Sequence, residues 1–258
     1  MTRRLIMLTL FFAAATAGAT TLDRTTDRTF DVRPGARVVL DNVNGRVTVT
    51  AWNQPRVRVI ARQHVESHNS ELANKTMANL VNIAADPNGV RVHTNQPKNS
   101  DNFFAWLAGE SVRAGVTYEV TVPRTTNLDV ETVNGALAAS DVSGTLKLST
   151  VNGRIQLERC AGELDASTVN GGIAAELMTV NPGRPVSLST TNGRISVSLP
   201  RTLGARVDAG TTNGSISSDI PVTTTVSTKH SLRGTLNGGG NGELRLRTTN
   251  GSISIKAH

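Results

Sequence analysis

The sequence predicts an all-β protein, a β-solenoid (parallel β-helix) of 18–22-residue rungs carrying a small helical insertion. Three observations point there. Composition comes first: 258 residues hold 33 Thr, 21 Asn and 23 Gly but only 8 aromatics, usage that suits short strands joined by tight turns. Second, one phrase recurs seven times: apolar, x, apolar, x, Thr, x, Asn, Gly, x, apolar, x, apolar. Its turns are Asn44-Gly45, Asn134-Gly135, Asn152-Gly153, Asn170-Gly171, Asn192-Gly193, Asn213-Gly214 and Asn250-Gly251. Third, strict alternation puts Leu146, Leu148 and Thr150 on one face before the turn and continues that face with Ile155 and Leu157 after it. Long helical periodicity is missing, which argues against a bundle, and the regular Val, Ile and Leu argue against a disordered chain.

Asn and Gly tolerate positive φ, so the dipeptide is a corner or a hairpin turn. An antiparallel meander of hairpins satisfies the alternation as well. Repetition of the whole rung, down to the Thr and Asn, favours the solenoid, because stacked Asn and Thr side chains can hydrogen-bond along the axis. A lone rung buries too little to offset the ordering of its backbone, whereas stacked rungs share main-chain hydrogen bonds and one core. The general crossover preference predicts a right-handed coil.

Taken in order, residues 1–19 read as a signal peptide: Arg3 and Arg4, an apolar run from Leu5 to Ala15, then the small residues Ala17-Gly18-Ala19. Export to the periplasm or cell surface is therefore expected. Residues 20–66 supply the first β rungs, with the early phrase at Val38 to Val49. Residues 67–115 differ in character and read as an insertion or cap. Glu71 to Ala85 is predicted helical, with Ala73, Met77, Leu80, Val81 and Ala84 on one face and Asp86-Pro87-Asn88-Gly89 as its stop. Phe103, Phe104, Trp106 and Leu107 follow as an aromatic cluster, the candidate partner-binding residues, facing a protein, a glycan or a membrane surface. Residues 116–258 are the main array. The chain stops directly after the Asn250-Gly251 rung, so an uncapped C-terminal rung is expected, open to end-to-end self-association. Asn237 to Gly242 reads as a flexible connector, since it lacks the Lys-Ser/Thr and the helix of a phosphate loop.

Charge and chemistry narrow the function. The formal net charge is +7, spread along the chain with no basic stripe carrying interleaved aromatics, so no nucleic-acid partner is expected. Cys160 is the single cysteine, which excludes an internal disulfide and reads as a small buried hydrophobe near a strand end. His64 and His68 lie four apart near Glu66 and Glu71, but no third His or Cys pair stands at ligand spacing, so neither a metal nor another cofactor is expected. No Ser, His and acid constellation stands out, and no catalytic residue is assigned.

Trp52-Asn53-Gln54-Pro55-Arg56-Val57, following Asn44-Gly45, together with the recurrent Thr-x-Asn-Gly-x-Ile rungs, resembles the putative adhesin family, bacterial exported domains of unknown function. The resemblance spans roughly residues 30–258 and implies a β-helical fold, with no catalytic residues to carry over. The expected role is a non-enzymatic envelope protein that binds an envelope component or a protein partner through an extended surface. The alternatives are a self-assembling envelope scaffold and a glycan-active enzyme.

Overall fold

A computed structural model of the chain describes residues 9–10, 19–96 and 112–258. Two β-sheets face each other across one apolar core, and each repeat phrase contributes a strand to both. The first sheet holds the strands that lead into the Asn-Gly corners: Arg37–Asp41, Asn127–Asn134, Ser143–Asn152, the later half of Ile155–Asn170, Val186–Asn192, Gly242–Asn250 and Ala205–Asn213. The second sheet holds the strands that leave them: Val47–Trp52, Leu137–Ser140, the earlier half of Ile155–Asn170, Ile173–Leu177, Ile195–Leu199, Ile253–Ala257 and Ile216–Ser218.

Neighbouring rungs pair parallel and in register. Leu146 sits opposite Leu128 on one side and Leu164 on the other, with Thr150 opposite Thr132 and Thr168. The solenoid reading therefore holds and the hairpin meander does not. Alternation sorts the faces as expected: Leu146, Leu148, Ile155 and Leu157 are buried. The inward Thr hydroxyls are satisfied without water, since Thr150 Oγ1 donates to the Gly135 carbonyl at 3.1 Å and Thr168 Oγ1 to that of Gly153 at 3.0 Å. At the opposite corner, Asp141 and Arg159 occupy equivalent positions of successive rungs, both at positive φ, and form a two-pronged ion pair at 2.9 and 2.7 Å.

Three features go beyond the expectation, and two of them correct it. The predicted helix ends early: it runs Ser70–Asn79, capped by Asn69, whose side chain accepts from the Leu72 amide, and Val81–Asp86 is a strand. Asp86 to Gly89 is then the turn of a hairpin with Gly89–Thr94 instead of a helix stop. Val81, Ile83 and the β-branched run around Val90 and Val92 gain an edge by pairing beside Arg37–Asp41, which outweighs weak helix propensity. The helix buries Ala73 and Met77 against Arg56–Ser67.

Second, the rungs on either side of residues 67–115 are contiguous in space: Arg37–Asp41 pairs directly with Asn127–Asn134, so the first Asn-Gly rung stacks on the second, and the described strands between them cover that end. The cover in the second sheet is antiparallel: Val112–Pro123, Arg56–Ser67 and Thr20–Asp31 lie side by side beyond Val47–Trp52. Beneath it, Tyr118 shares a 2.7 Å hydrogen bond with Thr94, whose hydroxyl donates to Asn42 Oδ1 at 3.0 Å; Asn42 occupies the place that Thr holds in the later rungs.

Third, the C-terminal rung is not an end. Gly242–Asn250 pairs with Val186–Asn192 on one side and Ala205–Asn213 on the other, and Ile253–Ala257 lies likewise between Ile195–Leu199 and Ile216–Ser218. The expected uncapped C-terminal rung is thus overturned. Chain order and spatial order part company here: the rungs centred on Asn192, Asn250 and Asn213 follow one another along the axis. Beyond the last of them, Ser231–Leu236 and Val222–Ser227 close the first sheet as an antiparallel hairpin. The Gly-rich stretch 237–241 is a connector, as expected.

Candidate functional site

The Asn-Gly corners build one continuous edge. Asn134 donates its amide to the Asn44 side-chain oxygen, and the pattern repeats through Asn152, Asn170, Asn192 and Asn250 to Asn213, every bond 2.8 or 2.9 Å. Seven carboxamides thereby form one polar ladder about 29 Å long at about 4.8 Å per rung. From Gly135 onward each following glycine is pressed against the neighbouring rung's glycine: a Cβ on Gly171 would lie 2.0 Å from the Gly153 carbonyl oxygen, so the corner has no room for a side chain. The fourteen residues singled out as turns stand at this edge.

Positions flanking the ladder face solvent and differ from rung to rung, which is where function can be written on a repeat. On the first-sheet side the residue between Thr and Asn is Val133, Val151 and Val169 in three successive rungs, about 40% exposed each, then Thr191, Thr249 and Thr212. On the second-sheet side the residue after Gly is Arg46, Ala136, Arg154, Gly172 and Arg194 in stacking order. Ala136 leaves a notch between Arg46 and Arg154, and a groove of about 600 Å3 opens there. Thr48, Ala138 and Ser140 line its floor, with Gln156 and Glu158 at one wall, the Gln156 amide donating to Glu158 at 2.7 Å.

The groove sets two guanidinium groups on either side of one notch. Several guanidinium and ammonium groups elsewhere are held by carboxylates: Arg37 on Asp129, Arg58 on Asp27, Lys147 on Glu131, and both Arg233 and Arg247 on Asp208. Asp27 is held below the usual carboxylate range by the Arg58 hydrogen bond, which outweighs its partial burial. Partial burial pushes the Asp208 carboxyl up, but its two guanidinium partners more than reverse this. Arg46 and Arg154 form no ion pair among the described residues. Two rung steps, about 9.6 Å, separate their backbones, a spacing over which two planar forks can converge on one carboxylate or phosphate group. The small floor admits a ligand to the sheet surface, and the Thr48 and Ser140 hydroxyls can serve its polar groups.

Of the residues singled out from sequence, Phe103, Phe104, Trp106 and Leu107 lie outside the described residues. His64 is on a strand, with Nδ1 2.7 Å from Asp23 Oδ1. Among the described residues no group of three His, Cys, Asp or Glu is placed to hold a metal ion. Cys160 is buried beside the return corner, its Sγ 3.5 Å from the Ala139 carbonyl oxygen, and burial pushes the thiol up to about 11. Sequence reasoning missed Arg46 and Arg154. Their signal was present as a break in the x position after Asn-Gly, but it becomes a groove only once rungs 90 residues apart are stacked.

The class this geometry defines is a two-sheet β-solenoid whose candidate site is an open cationic groove on a sheet face. The chain belongs to the Toastrack DUF4097 family, whose sequence profile matches residues 37–256. Among solved structures it is similar to a putative cell adhesion protein from Clostridium sporogenes ATCC 15579, at 12% identity over 91% of this chain and 100% of that chain with a TM-score of 0.49. It is also similar to a putative adhesin from Bacteroides fragilis NCTC 9343, at 11% identity over 91% and 97% of the two chains with a TM-score of 0.39. No curated protein matches it.

Proposed function

We propose that this chain is a non-enzymatic, exported, adhesin-like scaffold that binds an anionic component of the bacterial envelope at the groove between Arg46 and Arg154. The observation that carries this reading is the pair of guanidinium groups without carboxylate partners that flank the notch at Ala136, two rungs apart on one groove. Support also comes from the architecture. A stacked face repeats its spacing over several rungs, so a polymer with regularly placed acidic groups can engage more than one rung at once. The aromatic cluster at Phe103, Phe104, Trp106 and Leu107 is proposed as a second contact. Residues 1–19 are proposed to direct export and to be removed, leaving Thr20 as the first residue of the mature chain.

Co-sedimentation of residues 20–258 with peptidoglycan sacculi and with outer-membrane vesicles tests this. Arg46→Ser with Arg154→Ser is expected to abolish binding, and wild-type binding is expected to fall with salt as ions screen the attraction. Retention by the Arg variant together with loss in a Phe103→Ala, Phe104→Ala, Trp106→Ala variant would move the site to the aromatic segment. Failure of the wild-type chain to bind either fraction would overturn the reading.

A further inference from the structure

The exchanged order of the last two rungs has a mechanical meaning. After Ile195–Leu199 the chain skips one rung position, builds Ala205–Asn213 and Ile216–Ser218 one step further out, turns through the hairpin of Val222–Ser227 and Ser231–Leu236, and only then returns to fill the gap. Until residues 242–257 arrive, the gap is a slot with an unpaired strand edge on each side in both sheets. The arriving segment makes parallel ladders to both walls and buries Leu244, Leu246, Ile253 and Ile255 completely. Its Thr248 donates to the Gly193 carbonyl at 2.9 Å, and its Asn250 completes the carboxamide ladder between Asn192 and Asn213.

Only the stretch 237–241 ties this segment to its own slot. That stretch crosses the start of the Ala205–Asn213 strand, from Leu236 on one side of Ala205 to Gly242 on the other. It closes tightly: Asn237, Gly238 and Gly239 all have positive φ, Asn237 donates to the Arg201 and Leu203 carbonyls, and a Cβ on Gly240 would lie 2.2 Å from the Gly204 carbonyl oxygen.

We propose that the segment 242–257 is an exchangeable donor, and that its slot accepts the same segment from a second copy of this chain. Every contact of the inserted segment is the same whichever copy supplies it, so exchange costs only the hinge and the entropy of association. Opening the hinge releases the three left-handed residues and the glycine-on-glycine contact. Reciprocal exchange closes a two-fold dimer, and head-to-tail exchange grows a chain of subunits.

The test uses the full chain with two single substitutions in separate copies, Ser196→Cys and Ser254→Cys. These residues face each other on neighbouring parallel strands, at about 4.8 Å between Cα atoms, within the range a disulfide spans. A chain carrying both substitutions is expected to form the bond internally, which establishes that the geometry permits it. The two single variants are unfolded together, refolded across a concentration series and oxidised. A disulfide-linked pair of peptides from positions 196 and 254 of different copies is expected, its share rising with concentration. Gly240→Val, which prevents the hinge from closing, is expected to raise that share about tenfold or more, the shift that about 1.4 kcal/mol produces. Absence of the inter-copy peptide at every concentration, with the internal bond forming in the doubly substituted chain, would overturn the proposal. The refolding series decides the matter even if the hinge variant fails to fold.

Discussion

Asn170 stands in the middle of the carboxamide ladder, donating to Asn152 and accepting from Asn192. It is exposed, so each bond replaces one to water and contributes about 1 kcal/mol. Asn170→Ala should lower unfolding stability by about 1–2 kcal/mol in urea, with an unchanged slope. The adjacent Gly171→Ala should cost more, about 3 kcal/mol, because a Cβ there meets main chain that cannot swing aside. Equal effects at the two positions would show that the ladder, rather than the close packing of corners, sets the rung spacing. Cys160 offers a second check. With the thiol buried and pushed up to about 11, the native protein should resist a thiol reagent at pH 8 and react at once in denaturant. The burial of Cys160 was legible from its residue type near a strand end, although the alternation set by Ile155 and Leu157 breaks at Arg159; its neighbours Val142 and Leu177 were not legible, since they come from adjacent rungs.

At the scale of elements, each strand is sorted by the two-residue period, and the contrast is steep. Leu148→Ala opens a cavity between two in-register neighbours and should cost about 2–5 kcal/mol, while Val151→Ala, three residues on at the exposed corner, should change stability by less than about 0.5 kcal/mol. Thermal unfolding of both variants measures this. Where periodicity is strong, as from Leu146 to Leu157, the elements can be read from the residues alone. Where it is weak, at Val81–Asp86, helical and extended patterns compete over a short apolar run, and the deciding factor is pairing with Gly89–Thr94, a strand itself held on the edge of Arg37–Asp41 from about 50 residues away. The candidate groove is illegible for the same reason: Arg46 and Arg154 have unremarkable local surroundings, and only the pairing of Leu137 with both Val47 and Ile155 sets them on either side of Ala136.

For the whole molecule, ion pairs tie both the antiparallel cover and the return corners of the stack. Arg58 to Asp27 and Arg62 to Glu119 lace the antiparallel cover, and Arg159 to Asp141 joins the return corners. Hydrogen bonds from their arginines hold Asp27, Glu119 and Asp141 below the usual carboxylate range, more than offsetting the opposing effect of burial. A depressed folded-state value means that the contribution is fully present above the unfolded carboxylate pKa and is lost as pH falls through the folded one. Stability should therefore be flat with respect to these groups above about pH 5 and decline below about pH 4. Asp27→Asn should flatten that decline in urea midpoints measured from about pH 7 down to about pH 2. An unaltered acid slope would show that the cover is held by packing alone.

The sequence by itself determined the rung: its length, its Asn-Gly corner, which residues point inward, and the stacking of like on like. These follow from local rules, the tolerance of Asn and Gly for tight corners and the alternation of a strand, and they repeat wherever the phrase repeats. Only the tertiary structure decided the order of the rungs. Each phrase presents nearly the same edge, so the stretch around Asn250 fits beside Asn192 as well as the stretch around Asn213 does, and no local signal separates the two. What separates them is chain connectivity: the hairpin of Val222–Ser227 and Ser231–Leu236 occupies the outer face of Ala205–Asn213, and the short glycine-rich crossing delivers the last strand to the inner one.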